Sequence, residues 1–129
     1  MNVNLSETGL KIFFKPWQVP IIEKLLFEAT DENKALKTSE LTYYINNLFA
    51  EEDKDKPENE KRKISRASVI IMLQSLAKEG LLNVRKEPGK GGYHALYWRA
   101  KTLHQFLKDA NVLFTEKSLD IMEEYDLKG

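Results

Sequence analysis

The sequence predicts a mainly α-helical α+β fold with a small β-hairpin and a C-terminal helical extension. Three observations lead there. Five segments place apolar residues at helical spacing. Two short β-prone runs flank a glycine-rich stretch in the way a hairpin does. A 129-residue chain with 42% hydrophobic residues can also bury one core without metal or disulfide staples, and is short for two domains.

The elements follow in order. Met1 to Lys15 is weakly patterned, with Leu10, Ile12 and Phe14 alternating as in an arm or short strand. Pro16 and Pro20 frame the entry to a first helix, since proline is tolerated in an opening turn, and Ile22, Leu25, Leu26 and Ala29 form its inward stripe. Leu36 and Lys37 suggest a short strand before Thr38 or Ser39 caps a second helix, whose apolar face is Leu41, Tyr44, Ile45 and Leu48. Ala50 to Arg62 has no apolar residue after Ala50, contains Pro57 and mixes charges, so residues 51–63 are expected to be a mobile loop that buries nothing.

The third helix is expected to start at a Ser65 cap and stop at Gly80, which can adopt the left-handed conformation that ends a helix. Its buried stripe is Val69, Met72, Leu73 and Leu76, which leaves Ala67, Ile71, Gln74 and Lys78 facing outward. Leu82 to Lys86 and Tyr93 to Arg99 read as strands joined by a long loop from Glu87 to Gly92. Leu103, Phe106, Leu107 and Ala110 mark a fourth helix. A cap at Thr115, with Leu119, Ile121, Met122 and Tyr125, marks a fifth. The organisation is thus an arm over 1–15, a main domain over 16–100 and C-terminal helices over 101–129.

Charge is distributed unevenly. The whole chain is neutral, yet Lys61 to Lys101 holds ten basic residues and two acidic ones, a net of +8. The flanking segments are acidic. Such polarity is the footprint of a polyanionic partner. The absence of cysteine excludes disulfides and thiolate chemistry. No signal-like or membrane-spanning apolar run is present, and a cytoplasmic protein is expected.

Helix, helix, helix, strand, glycine-rich tip, strand is an order that resembles a winged helix-turn-helix domain, and particular residues carry the resemblance. Ile64 to Val84 (ISRASVIIMLQSLAKEGLLNV) is similar to the recognition helix and first wing strand of MarR, PadR and penicillinase-repressor regulators. Ser65, Val69, Leu73, Leu76, Lys78, Glu79, Gly80 and Leu81 match their cap, stripe and charged-Gly-Leu ending. PGKGGYHALYWRA is similar to their basic tip and tyrosine-rich return strand. The likeness covers roughly Pro16 to Ala100 and points to a superfamily. The segment from Ala50 to Ile64 departs from it, being longer than the usual turn between the second and third helices.

The resemblance implies a homodimeric transcriptional regulator that binds double-stranded DNA, the third helix in the major groove and the wing on the flanking backbone or minor groove. Arg66 is the foremost candidate for a base or phosphate contact, because its fork suits guanine or phosphate. Ser65 and Ser68 can reach phosphate oxygens, and Gln74 shares the outward face. Ala67 and Ile71 either meet thymine methyl groups or, for Ile71, pack on the wing or the long loop. Lys61, Arg62 and Lys63 either contact phosphates or neutralise Glu58 and Glu60. Arg85, Lys86, Lys90 and Gly91 supply the wing. Leu103, Phe106, Leu107, Val112, Leu113, Phe114 and Met122 exceed what a small domain needs to cover itself and are assigned to dimerisation. Alternatives are a protein–protein interaction module, since this fold also serves inside assemblies without touching nucleic acid, and a DNA-binding replication or partition protein.

Other chemistries find no support. His94 and His104 lie in different elements with no cysteine nearby, which argues against zinc. Asp53, Asp55 and Asn59 lack the glycine and glutamate of a calcium loop. Gly89 to Gly92 is followed by a strand rather than by Ser or Thr and a helix, unlike a nucleotide phosphate loop. No nucleophile sits beside a base, so neither an enzyme nor a cofactor is expected.

Overall fold

The computed structural model describes residues 10, 14–89, 92–102, 105–109 and 111. They form an α+β fold in which helices pack on a three-stranded antiparallel sheet. The order is α1 (Gln18–Glu28), a 3₁₀ turn (Glu32–Lys34), β1 (Leu36–Lys37), α2 (Thr38–Glu52), a second 3₁₀ turn (Glu58–Glu60), α3 (Arg66–Lys78), β2 (Leu82–Gly89) and β3 (Gly92–Arg99). Residues 105–109 are helical again. The last expected helix, with Thr115 and Leu119 to Tyr125, lies outside the described residues.

The expected stripes make the core. Ile22, Leu25, Leu26 and Ala29 of α1, Leu41 and Ile45 of α2, and Val69, Met72, Leu73 and Leu76 of α3 are buried in one cluster. Phe49 joins them one turn beyond the expected α2 face, while Tyr44 and Leu48 are half-buried. Leu10 is fully enclosed, so the N-terminal segment contributes to the core as well as flanking it.

Helix ends follow local chemistry. The α3 N-terminus is capped as expected, the Ser65 hydroxyl accepting from the Ser68 amide at 3.1 Å. Its C-terminus closes with Leu81 N–H on Leu76 C=O (2.9 Å) and Gly80 N–H on Ala77 C=O (3.0 Å), with Gly80 at φ +79°. This paired closure needs the left-handed backbone that glycine adopts without strain. At α2, Thr38 is the first helical residue rather than the cap. Glu40 reaches back to accept from the Lys37 amide at 2.9 Å, satisfying a free donor from inside the helix. The Leu26 carbonyl near the end of α1 accepts from the Arg99 guanidinium at 3.1 Å, a cation at the negative end of a helix.

The sheet order is β1-β3-β2, with Leu36 opposite Tyr97 and the β2–β3 ladder running from Leu82 opposite Arg99 to Gly89 opposite Gly92. The strands therefore extend three residues past Lys86, and the expected loop from Glu87 is mostly ladder. Pro88 is accommodated because β2 is an edge strand, where a missing N–H need not break pairing. At Gly89 the His94 ring lies over the backbone where a β-carbon would stand, so any larger residue there would have to displace that ring.

Two expectations are overturned. Residues 51–63 do contribute to the interior, because Asp53, which ends α2, is buried. Phe106, assigned to a dimer interface, is 0% exposed within its own chain and packs against Phe14 in a tilted arrangement, ring centres 5.9 Å apart. A ring wholly enclosed by its own subunit has no surface left for a partner. Among the described residues, no helix is long and apolar enough to cross a membrane.

Candidate nucleic-acid interface

The outward face of α3 is the one the periodicity predicts. Ala67, Ile71, Gln74 and Lys78 are exposed, as are Ser65 and Arg66, and Ser68 is half-buried. Ile70 is half-buried, and Ile71 is left 68% exposed. No Asp or Glu occurs between Arg66 and Lys78.

The long segment before α3 is held to α2 by two side chains. Asn46 accepts from the Ile64 amide at 2.8 Å and donates to the Ile64 carbonyl at 2.9 Å, and donates also to Thr42 C=O at 3.1 Å. Seven residues on, hence on the same helix face, Asp53 accepts from the backbone N–H of Arg62 at 2.9 Å and from its guanidinium at 2.8 and 3.0 Å. Lys56 adds an ion pair to Asp53 at 3.1 Å, and Glu52 takes a second face of the Arg62 fork at 2.8 Å. The Arg62 guanidinium also lies over the Phe49 ring, 4.0 Å from its centre. Hydrogen bonds from Arg62 are the main reason the Asp53 carboxyl is held far below the ordinary aspartate value. The two clamps fix the chain immediately before the Ser65 cap and thereby orient α3.

The expected surface of +8 is therefore smaller than the sequence suggests. Arg62 is committed to Asp53 and Glu52, Lys61 lies 3.7 Å from Glu58, and Lys101 pairs with Asp109. Arg85 is engaged by Glu32 at 2.9 Å and Glu87 at 3.4 Å. Lys63, Arg66, Lys78 and Lys86 make no ion pair among the described residues.

Strand register decides which hairpin residues share the core side. Opposed residues of an antiparallel ladder point to one face, as do alternate residues along a strand. Leu82, Val84, Lys86 and Pro88 thus share a face with Tyr97, Ala95 and Tyr93. Leu82 and Tyr97 bury that face in the core formed with the three helices, and its outer part carries Lys86 with the exposed Val84 and Tyr93. Asn83, Arg85 and Glu87 look the other way. Arg85, expected to contact DNA, thus lies on the face opposite Lys86 and is engaged by Glu32 and Glu87.

What converges is an acid-free helix face, two cations at its start (Lys63 and Arg66), one at its end (Lys78), and Lys86 on the matching hairpin face. Lys90 and Gly91 of the tip lie outside the described residues, as do Leu103, Val112, Leu113, Phe114 and Met122 of the expected dimer surface. Leu107 is half-buried against the core. Sequence reasoning missed Asn46 and Asp53. Asn46 carried a weak signal at most, being a polar residue beside Ile45 in the apolar stripe of α2, and its partner Ile64 lies 18 residues away in sequence.

No protein-family model matches the chain, and no match was found among curated proteins.

Proposed function

We propose that the chain is a winged-helix protein that binds double-stranded DNA, with α3 entering the major groove and the hairpin lying along the flanking backbone. The observation that carries this reading is the acid-free α3 face bordered by Lys63, Arg66, Lys78 and Lys86, cations that no carboxylate among the described residues neutralises. Free cations bind phosphates by releasing condensed counterions, whereas cations already paired must first break an internal contact. Helix order, the register of the hairpin and the helix-side position of Lys86 all fit this docking.

A transcriptional regulator acting as a homodimer is the role proposed, because one helix and one hairpin offer few base contacts and paired half-sites are the common remedy. With Phe106 enclosed, the dimer surface would draw on Leu107 and the residues after it. A protein–protein interaction module is the second reading, favoured by the exposed Ile71, Val84 and Tyr93.

The test is selection from a random duplex pool by the purified protein, with Arg66→Ala alongside. Enrichment of an inverted repeat by the native chain alone supports the dimeric regulator. Recovery of no motif, with binding abolished by moderate salt for both proteins, rejects it in favour of the interaction module.

A further inference from the structure

We infer that α3 reads the 5-methyl groups of thymine, with Ile71 as the central contact and Ala67 beside it. The inference rests on the DNA-binding reading above and names what that face recognises.

A single exposed aliphatic residue is ordinary on a protein surface. The setting of Ile71 is what gives it meaning. It stands 68% exposed at the middle of a helix face bounded at both ends by cations that make no ion pair among the described residues, and no acidic residue lies on α3 to repel phosphates. Partner chemistry is thereby restricted to something polyanionic that also presents small apolar groups. The major groove meets both conditions, since thymine alone among the four bases shows a methyl group there.

Spacing agrees. Ala67 and Ile71 are four residues apart on one face, about 6 Å along the axis at 1.5 Å per residue. That distance corresponds to roughly two base-pair steps of 3.4 Å. Gln74 follows one turn on, exposed, with an amide able to pair with adenine N6 and N7. Arg66 at the start of the helix suits guanine or phosphate. An apolar pair followed by an amide describes a half-site rich in A·T pairs, with thymines positioned for Ala67 and Ile71.

The experiment compares normal DNA with DNA made from dUTP in place of dTTP, which keeps charge and base pairing and removes only the methyl groups. Fragments enriched from a random duplex pool by the native chain are remade in both forms, and binding is measured for the native protein and for Ile71→Ala. Ile71 is exposed, so the variant keeps the fold, and its Tm serves as a control. The native protein should bind uracil DNA more weakly, by roughly fourfold for each methyl group it covers. Ile71→Ala should lose affinity for thymine DNA and respond less to the replacement than the native chain.

Equal binding of both DNAs by the native protein overturns the methyl contact and leaves DNA binding intact. An unchanged response to uracil in Ile71→Ala overturns the assignment to Ile71. Failure to retain any duplex overturns the DNA-binding reading, and this inference with it.

Discussion

Arg62 and Arg66 stand four residues apart in one basic run, and the fold uses them in opposite ways. Arg62 is drawn inward to a buried carboxylate, stacked on Phe49 and hydrogen-bonded through its own backbone. Arg66, in the first turn of α3, is exposed and makes no ion pair among the described residues. The hairpin repeats the contrast in adjacent residues, where Arg85 is held by Glu32 and Glu87 while Lys86, on the core-side face of the strand, makes no ion pair among the described residues. A basic run thus divides into residues that build the surface and residues that serve it. Local charge counts cannot make that division, because the closest carboxylate partners, Glu52 and Asp53 at the end of α2 for Arg62 and Glu32 in the 3₁₀ turn before β1 for Arg85, lie outside the immediate sequence neighbourhood.

The contrast can be broken at its structural half first. Asp53→Ala removes the acceptor for the Arg62 backbone and guanidinium and for Lys56 at once. It should give the largest fall in Tm of the changes considered, read by thermal unfolding, because it empties a buried site and removes several charge-assisted hydrogen bonds together. The carboxyl of Asp53 is lowered in the folded state, so its contribution is complete above the ordinary value of 3.8 and is lost as pH falls below it. Tm measured against pH should decline along that acid limb in the native protein, and less steeply in Asp53→Asn. Equal acid limbs would show that the Asp53 clamp adds nothing to stability.

Asn46→Ala comes next. It deprives both the N–H and C=O of Ile64 of their partner and should cost about 2 kcal/mol in denaturant unfolding. DNA affinity should fall with it even though Asn46 is remote from the outward face of α3, because the start of that helix loses its anchor.

The functional half is expected to behave in reverse. Arg66→Ala should leave Tm unchanged and weaken specific DNA binding by about 1–3 kcal/mol. A fall in Tm without loss of affinity would mean that Arg66 belongs with Arg62. The smallest and most discriminating effect is at the hairpin: Lys86→Ala should reduce the slope of log affinity against log salt by about 1, while Arg85→Ala should leave the slope unaltered. Equal slopes in the two variants would erase the assignment by face.

Much of the architecture was legible because helices and turns are written in local periodicity. The inward stripes of α1 and α3, the Ser65 cap and the left-handed Gly80 depend on residues three to five apart and are found where expected, whereas on α2 only Leu41 and Ile45 of the expected face are buried and Phe49 joins them. The hairpin was legible as a unit but not in length, since a Pro-Gly pair signals a turn unless the strand lies at an edge, and strand position is not a local property. The outward face of α3 was read correctly for the same periodic reason. Its charged surroundings were not, because ion pairing depends on which segments the fold brings together.

By itself the sequence determined the helical stripes, the caps at the two ends of α3, the order of elements and the polarity of charge along the chain. Tertiary structure decided that Asp53 is buried, that Phe106 belongs to its own core, that Ile71 stays exposed, and that four of the basic residues between Lys61 and Lys101 are spent on carboxylates. Periodicity fixes which face of an element is apolar. The element that will lie against that face, and the charges it will bring, are set only when distant parts of the chain pack together.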